Sequence, residues 1–494
     1  MPSSSFVAAF FEMARTRPDA PALALRDRVI DYAELARLVE AAQAAVDELG
    51  IADGVPVCVP AHKSPQTIAL IVACVRAGRQ VLLPSAGLGA VALADMCSAV
   101  GVTHVLGAIA CDTNAFELAA HTVTAYGRAV RPVEPGLLLT TSGSTGTPKT
   151  VVLSAEGVDR FLAWAAGKFG IGAGVRVLNH APLNFDLCLL DVWTSLSVGA
   201  CVELVDADQA VNGTYLAELC ARRAPSVIQA VPLFFRLVTD AAARSGQVCT
   251  GVREVLCTGD AMPPGLLARV AETFPGARLW NVYGCTETND SFAHEIAPAD
   301  VIADGAVPIG TPIDGVDALV LDESGAPVTG AGTGELLVAT PFQARGYFDD
   351  ALNREKWRDG YFRTGDLVRR DEKGLVFLIG RHDHEVKVRG VRTNLQEVEH
   401  VVLGHPQVLE AAVVAVPDET AGNVLHAVVR RAPESELDGL GLRVHCAAGL
   451  PRTAIPGVIE IVDHALPRTS TGKVDRKSVL RQRQTHPRTT GGTR

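Results

Sequence analysis

A short stretch rich in hydroxyl and glycine residues, Leu137 to Val152, has the composition of a phosphate-binding loop. Three leucines lead into eight residues of Thr, Ser and Gly, and then Pro148, Lys149 and a second apolar run follow. This order predicts a strand, a flexible loop and another strand. The glycines let a ligand approach the backbone, while the hydroxyls, the loop N–H groups and Lys149 can bind phosphate oxygens. A plain Ser/Gly-rich turn is the alternative, and the spacing differs from a Walker A loop, since Lys149 follows Gly146 by three positions.

The same stretch carries the first of several motifs of a known family. The string Thr-Ser-Gly-Ser-Thr-Gly-x-Pro-Lys (141–149) resembles the phosphate loop of the adenylate-forming superfamily. That superfamily includes acyl-CoA synthetases, luciferases and the adenylation domains of nonribosomal peptide synthesis, and it usually has Gly where this chain has Thr150. The resemblance implies that the ATP phosphates are bound by Thr141, Ser142, Gly143, Ser144, Thr145, Gly146 and Lys149.

Two further motifs are implied to hold the adenine and a metal ion. The segment 281–287 (Asn-Val-Tyr-Gly-Cys-Thr-Glu) resembles the family element N-x-Y-G-x-T-E, with Cys285 in place of Pro. Tyr283 can stack on adenine, and Glu287 offers the kind of carboxylate ligand that Mg²⁺ takes alongside phosphates and waters. The segment 257–261 resembles the loop that borders the adenine. The nucleotide-binding residues implied by these two motifs are Gly259, Asp260, Asn281, Val282, Tyr283, Gly284 and Thr286.

Later motifs are implied to bind the ribose and to form a hinge. Asp366 lies in a segment that matches the family element T-G-D, and the resemblance implies that it accepts both ribose hydroxyls. Residues 380–390 match G-R-x-D-x-x-x-K-x-x-G, which implies that Arg381 reaches the ribose or a phosphate and that Asp383 is a hinge. Asp366 alone would be typical of a surface turn, but the Arg381 match favours the nucleotide role.

Lys473 is the strongest candidate for a catalytic residue. It follows a glycine in the segment 467–476, which matches the family element P-x-T-x-x-G-K-x-x-R, whereas out of this context it would be a solvated lysine. The resemblance implies that it contacts both the substrate carboxylate and the α-phosphate. A carboxylate that attacks a phosphate brings two anions together, so a cation aimed at that point stabilises the transition state.

The acid-binding pocket is predicted from the segment 184–191, which resembles the family element F-D-x-S with Cys188 in the Ser position. In amino-acid-activating members the Asp of this element, here Asp186, pairs with the substrate ammonium. A carboxylate among Phe185, Leu187 and Leu190 is costly without a cationic partner, although a backbone N–H is an alternative partner. The substrate residues implied by motif spacing are Phe185, Asp186, Leu187, Leu190, Gln229, Leu256, Thr258, Val282 and Asp290.

The composition of this predicted pocket narrows the substrate. Its leucines suggest a small cavity, while Gln229, Thr258 and Asp290 add polar groups. A substrate with a hydroxyl, an amide or a second amine therefore fits better than a purely aliphatic one. Asp290 has the alternative of pointing away and pairing with a neighbouring arginine.

Composition excludes several classes of protein. With 494 residues and 48% hydrophobic content, the chain can bury large cores, and its net charge of −10 argues against nucleic-acid binding. Eleven cysteines without a C-x-x-C pair predict reduced, mostly buried thiols in a cytoplasmic protein. The N-terminus has the pattern of an amphipathic helix, and no apolar run reaches the length of a membrane span. A G-G-x-S site for a phosphopantetheine arm does not occur in the sequence.

The elements that position these motifs alternate between helix and strand up to about residue 290, which predicts layered α/β structure with mostly parallel strands. Ligands of such sheets bind at the carboxyl ends of the strands. The expected organisation is a large core over 1–380, with a β-rich part at about 296–379, a small mobile α+β domain over 384–482, and a disordered tail over 483–494.

These features predict a stand-alone amino-acid adenylating ligase. The resemblance implies that it uses ATP and Mg²⁺ to form an aminoacyl-AMP and then loads the phosphopantetheine thiol of a separate carrier protein in natural-product biosynthesis. An acyl-CoA synthetase that activates a non-amino acid is the alternative among enzymes. A non-catalytic nucleotide-binding protein is the alternative from another class, and Lys473, Glu287 and Asp366 argue against it.

Overall fold

The structure is a computed structural model, and it describes residues 5–109, 116–122, 135–141, 149–262, 264–297, 307–382, 385–388, 391–418, 422–433, 435–450, 452, 454–469 and 473–485. Within these ranges the strands form five sheets. The predicted loop residues Ser142, Gly143, Ser144, Thr145 and Gly146 and the predicted hinge Asp383 lie outside the described residues.

The largest sheet has nine strands, and its central strands are parallel while both edges are antiparallel. The alternation of apolar strands and amphipathic helices predicts such parallel pairing, and the structure confirms it. In spatial order the strands are β15 (Thr311–Pro312), β14 (Asn289–Glu295), β13 (Arg278–Cys285), β12 (Glu254–Thr258), β11 (Val227–Ala230), β9 (Arg176–Asn179), β10 (Cys201–Leu204), β1 (Pro21–Leu25) and β2 (Arg28–Asp31).

A second sheet of seven strands carries the borders of the predicted phosphate loop. Its strands β7 and β8 pair antiparallel, with Thr141 opposite Lys149, so the two strands predicted on either side of the loop are confirmed. In spatial order the strands are β18 (Gly346–Tyr347), β8 (Lys149–Val152), β7 (Gly136–Thr141), β4 (Gln80–Leu83), β3 (Val57–Cys58), β5 (His104–Ala108) and β6 (Leu118–Thr122).

The helices of this part begin at the capping residues that the sequence supplies. Asp31 accepts a hydrogen bond from the Glu34 N–H, and Ser64 caps a helix whose first residue is proline. Apolar side chains of α1, α2, α3 and α5 form one core cluster with strands of both large sheets. The helices are α1 (Ser5–Thr16), α2 (Tyr32–Asp47), α3 (Pro65–Arg76), α4 (Ala90–Val100), α5 (Ala155–Phe169), α6 (Ser195–Ser197), α7 (Gly213–Arg223), α8 (Pro232–Ser245) and α9 (Pro264–Thr273).

One predicted α-helix has a different geometry. The sequence predicts a helix around 189–196, and the structure has a π-helix at Leu189–Thr194 that runs into α6. The Thr194 hydroxyl donates to the carbonyl oxygen of Leu189 at 2.8 Å, which supports the wider turn. Single π-helical turns often lie at functional sites, and this one carries Asp191.

A five-stranded antiparallel sheet follows within the region predicted to be β-rich. Its strands are short and separated by Gly, Pro and Asp turns, as the sequence indicates. They are β16 (Asp317–Leu321), β17 (Gly332–Ala339), β19 (Trp357–Arg358), β20 (Tyr361–Arg370) and β21 (Val376–Arg381), with α10 (Asp350–Lys356) between them.

The C-terminal part is a small α+β unit with its own apolar cluster. Its last helix continues three residues into the range predicted to be a disordered tail, and there Arg483 donates to Glu460. Its elements are β22 (Glu385–Val388), β23 (Val391–Asn394), α11 (Leu395–Leu403), β24 (Val408–Asp418), β25 (Gly422–Arg431), α12 (Gly439–Gly449), β26 (Val458–Val462) and α13 (Arg476–Thr485).

All ten cysteines in the described ranges are free, and nine of them are buried, which confirms the prediction of buried thiols. Among the described helices, none combines the length and the apolar character that a membrane span requires.

Candidate active site

The predicted substrate residues on the large sheet occupy paired positions near the carboxyl ends of its parallel strands. Gln229 on β11 is opposite Asn179 on β9 and Leu256 on β12, while Thr258 is opposite Val282 on β13. Paired residues of neighbouring strands project from the same face, so these side chains form one surface near the carboxyl ends of parallel strands. Leu190, from the π-helix, is fully buried in the same apolar cluster as Leu256 and Val282, and Phe185 and Leu187 pack against that cluster.

Asp186 lies at this surface, between β9 and the π-helix. Its Oδ2 accepts a hydrogen bond from the Thr286 hydroxyl at 2.7 Å. Burial raises the pKa of Asp186, while the Thr286 hydrogen bond and the positive charge of Lys473 act in the opposite direction. The structure thus brings together the predicted ammonium ligand, a residue of the 281–287 motif and the predicted catalytic lysine.

Asp290 is the second carboxylate at the same place. It lies on β14 opposite Gly284, and its Oδ2 is buried without a hydrogen-bond partner among the described residues. Burial, reinforced by the negative charge of Asp186, raises the pKa of Asp290 to about 8. The charge that acts on it is thus that of a second carboxylate, and among the described residues Asp290 forms no ion pair with an arginine.

Asp290→Asn is expected to raise the thermal unfolding midpoint of the ligand-free chain, and to do so more at pH 8 than at pH 5. An unfolded aspartate ionises near the ordinary pKa of 3.8, whereas folded Asp290 holds its proton up to about pH 8. The free energy of unfolding of the wild-type chain therefore falls as the pH rises from 3.8 to about 8, and this fall is absent when asparagine replaces Asp290. Thermal melts at both pH values measure the effect, and an equal shift at both would contradict it.

A third carboxylate, Asp191, lies behind the pocket in a network that the sequence analysis missed. It is fully buried and accepts hydrogen bonds from the side-chain amides of Asn179 at 3.1 Å and Gln229 at 3.5 Å. Burial raises the pKa of Asp191 well above its ordinary value, while Asn179 and the Lys63 charge partly offset the effect. Gln229 is a predicted pocket residue and Asp191 ends the 184–191 motif, whereas Asn179 and Lys63 lie outside every motif.

Lys63 is the cation of this network. Its Nζ donates to the backbone oxygens of Asn179 at 3.2 Å and His180 at 2.8 Å, just where β9 ends. Burial lowers the pKa of Lys63 to about 8, although the charges of Cys188, Asp191 and Asp206 act against this. Lys63 therefore fixes the segment that leads from the sheet to Asp186.

The predicted ribose ligand Asp366 stands opposite Arg381 in the β20–β21 pair. Its Oδ1 accepts from the Arg381 guanidinium at 2.7 Å, and its Oδ2 accepts from the Tyr283 hydroxyl. Gly365 has a φ of +74°, and a Cβ there would lie 3.2 Å from the guanidinium, so glycine suits this close approach. Three predicted nucleotide residues are thus in direct contact.

The predicted metal ligand Glu287 is 8% exposed, and its Oε1 accepts from the Tyr347 hydroxyl at 2.5 Å. Lys149 Nζ lies 5.5 Å from the centre of the Tyr347 ring. Tyr347 therefore lies next to both Lys149, at the end of the predicted phosphate loop, and the Glu287 carboxylate. A single carboxylate completed by phosphate oxygens and waters fits the ligands that Mg²⁺ prefers, and no cluster of three metal-binding side chains occurs among the described residues.

The predicted adenine-border residues occupy the ends of neighbouring strands. Gly259 follows β12 with a φ of +81°, Asp260 is exposed, and the Asn281 amide donates to the Pro308 carbonyl oxygen at 2.9 Å. The Asn281 contact anchors β13, on which Tyr283 and Gly284 lie.

Lys473 is exposed and stands directly before Val474. Its carbonyl oxygen accepts from the Thr469 N–H at 2.8 Å, and Arg468 pairs with Val474 in an isolated bridge. Arg468 also donates to Glu410 at 2.7 Å, which ties Arg468 and its bridge partner to β24. Lys473 is thus held on the C-terminal unit, while its charge acts on Asp186 of the N-terminal part.

The chain combines layered α/β sheets with a separate C-terminal unit that carries Lys473, and this is the organisation that the resemblance to adenylate-forming enzymes implies. The family model described as AMP-binding enzyme matches residues 10–348, and the model of its C-terminal domain matches residues 397–473. The chain belongs to the AMP-binding enzyme family.

Known proteins of this family resemble the chain over most of its length. An L-proline–[L-prolyl-carrier protein] ligase of Pseudomonas fluorescens is 32% identical over 88% of this chain and 90% of the relative. A D-alanine–D-alanyl carrier protein ligase of Bacillus velezensis is 28% identical over 94% and 97%. The solved structure of o-succinylbenzoate coenzyme A synthetase from Bacillus subtilis, in complex with ATP and magnesium ion, has a TM-score of 0.80 at 22% identity, covering 96% of this chain and 99% of that one.

Proposed function

We propose that the chain activates an amino acid with ATP and transfers it to the phosphopantetheine thiol of a separate carrier protein. The observation that carries this proposal is the environment of Asp186. Burial disfavours its ionised carboxylate, and the positive charge of Lys473 acts on the same group. A zwitterionic amino acid satisfies both groups, because its ammonium pairs with the carboxylate and its carboxylate faces the lysine. The two carrier-protein ligases that resemble the chain are named for amino-acid substrates.

In the first step, a carboxylate oxygen of the amino acid attacks the α-phosphorus of ATP, and the bond to pyrophosphate breaks. Lys473 stabilises the negative charge that builds up on the phosphorus oxygens. In the second step, the carrier thiol attacks the acyl carbon and loses its proton, and the bond to AMP breaks. Asp186 holds the ammonium through both steps.

The nucleotide is held by the residues that the motifs indicate. Asp366 and Arg381 bind the ribose, Tyr283 stacks on the adenine, and the loop that ends at Lys149 binds the phosphates. Glu287 would hold Mg²⁺, which supplies positive charge to the phosphates when bound. In support, the solved structure named above contains ATP and magnesium.

The same proposal includes two domains whose relative arrangement changes between the first and the second step. The core over 1–380 and the small domain over 384–482 turn about Asp383, which withdraws Lys473 and admits the thiol. The two parts interact electrostatically in the present arrangement, since the charges of Glu410 and Arg468 in the C-terminal unit both act on Arg236 of α8, in opposite directions. Lid rotations of this kind often set the rate of turnover. We also place the chain in the cytoplasm, where its free thiols stay reduced.

Amino-acid-dependent exchange of pyrophosphate into ATP tests this function. We expect exchange with one of about twenty amino acids and none with a matched panel of acids that lack the amine, because only an ammonium neutralises Asp186. Labelled amino acid should then be transferred to a phosphopantetheinylated carrier and not to free coenzyme A. Exchange with a simple carboxylic acid, followed by transfer to coenzyme A, would instead identify an acyl-CoA synthetase.

A further inference from the structure

One carboxylate oxygen in the substrate pocket has no donor. Oδ2 of Asp290 is shielded from solvent and has no hydrogen-bond partner within the described ranges. Asp290 is on the pocket side of β14, because it stands opposite Gly284, which is two residues after Val282 on β13 and shares its face of the sheet. Leaving a buried polar group without a partner is destabilising, so such a group needs a reason, and a ligand that supplies the missing donor is one.

The proposed pocket contains more carboxylates than a single substrate ammonium can pair with. The charge of Lys63 acts on Asp191 and partly offsets the effect of burial there. Lys473 faces the substrate carboxylate and the α-phosphate under the proposed function. Asp186 and Asp290 then remain, and an ordinary amino acid has only one ammonium for the two carboxylates.

We infer that the substrate is a diamino acid, and that Asp290 binds the amine of its side chain while Asp186 binds the other amine. This inference rests on the proposed function and extends it to the class of amino acid. Leu190, Leu256 and Val282, the apolar members of the predicted pocket, belong to one buried cluster, and they suit the methylene groups that separate two amines.

An ammonium is a better partner for Asp290 than a hydroxyl. In the empty pocket a proton can cover the lone oxygen, since burial raises the pKa of Asp290 to about 8. A side-chain amine has a pKa of about 10.4, so an amine that enters the pocket keeps its own proton and leaves Asp290 ionised. The resulting pair is ammonium and carboxylate, whereas a hydroxyl would leave the acid protonated and form a weaker neutral bond.

Exchange kinetics with size-matched amino acids test this inference, with the full chain and MgATP. The sets are 2,3-diaminopropionate with 2-aminobutyrate and serine, 2,4-diaminobutyrate with norvaline and homoserine, and ornithine with norleucine and 5-hydroxynorvaline, each as both enantiomers. In at least one set we expect kcat/KM for the diamino acid to exceed that of both analogues by about 100-fold, the scale of a buried charge pair.

The variant Asp290→Asn links this preference to one residue. We expect it to lower kcat/KM for the diamino acid by about 30-fold or more and to change the methyl analogue by less than about threefold. Asp27→Asn, at a carboxylate whose side chain is 92% exposed, is the control and should change neither value. The comparison of analogues on the wild-type chain is independent of this variant.

Three results would overturn the inference. A preference for the methyl or hydroxyl analogue is one, and an equal effect of Asp290→Asn on all members of a set is another. Exchange with a neutral amino acid outside the sets, but with no diamino acid, is the third, and in that case the proposed function stands. If no amino acid of any kind supports exchange, the proposed function and this inference fall together.

Discussion

Lys473→Ala is expected to lower amino-acid-dependent ATP–pyrophosphate exchange by about 10²–10³-fold, as the loss of one oxyanion-stabilising donor does in other enzymes. The reason is electrostatic: the attacking carboxylate and the phosphate are both anions, and Lys473 supplies the cation between them. The effect should fall on kcat more than on the KM for the amino acid, because the charge on phosphorus builds up only in the transition state.

Lys477→Ala is the matched control, since this lysine is also exposed and stands four residues further along, on α13. It should retain exchange within about threefold, as surface substitutions usually do. Transfer of the acyl group from pre-formed aminoacyl-AMP to the carrier should survive Lys473→Ala, because that step has no attack on phosphorus. Equal losses in both variants, or a Lys473→Ala enzyme with normal exchange, would contradict the role of Lys473.

Asp186→Asn is expected to lower kcat/KM for the amino acid by roughly 100-fold or more, the cost of removing one partner of a buried charge pair. The KM for ATP should change much less, because Asp186 reaches the predicted nucleotide residues only through Thr286, while Asp366 is held by Arg381 and Tyr283. Exchange assays with either substrate varied measure the two effects separately.

Thr286→Val is the comparison for this variant, since it removes the 2.7 Å hydrogen bond to Asp186 and keeps the charge. We expect a smaller loss, about tenfold, in keeping with one hydrogen bond to a charged group. If both variants lose the same activity, Asp186 acts through that hydrogen bond and not through an ammonium.

The pH dependence of the wild-type chain follows from the same residue. Burial raises the pKa of Asp186, so its carboxylate takes up a proton at a higher pH than an ordinary aspartate does. Only the ionised form pairs with an ammonium. The kcat/KM for the amino acid should therefore fall as the pH is lowered through that raised pKa, and Asp186→Asn should remove this fall.

The sequence predicts best those parts of the site whose residues are neighbours along the chain. Asn281 to Glu287 follow one another on β13 and the turn after it, so their spacing alone indicates a nucleotide site. The strands around the phosphate loop are predicted for the same reason, since two apolar runs flank a polar segment. The paired positions of Asp366 and Arg381 follow once β20 and β21 are recognised as antiparallel neighbours.

The network behind the pocket was missed because its members come from distant parts of the chain. Lys63 precedes α3, Asn179 ends β9, and Asp191 lies in the π-helix, so no local spacing connects them. The same holds for Tyr347, whose hydroxyl reaches Glu287 across 60 residues. A lone lysine or tyrosine has no periodic signal, and only the packing of the sheet with its helices brings such groups into contact.

The π-helix at Leu189–Thr194 limits how this enzyme can be altered. Each π turn contains one more residue than an α turn would need, so deletion of a single residue there would let the segment tighten into an ordinary helix. Every side chain after the deletion would then rotate about the axis, and Asp191 would leave the amides of Asn179 and Gln229. Attempts to redesign which acid is accepted should therefore exchange this segment as a unit of constant length.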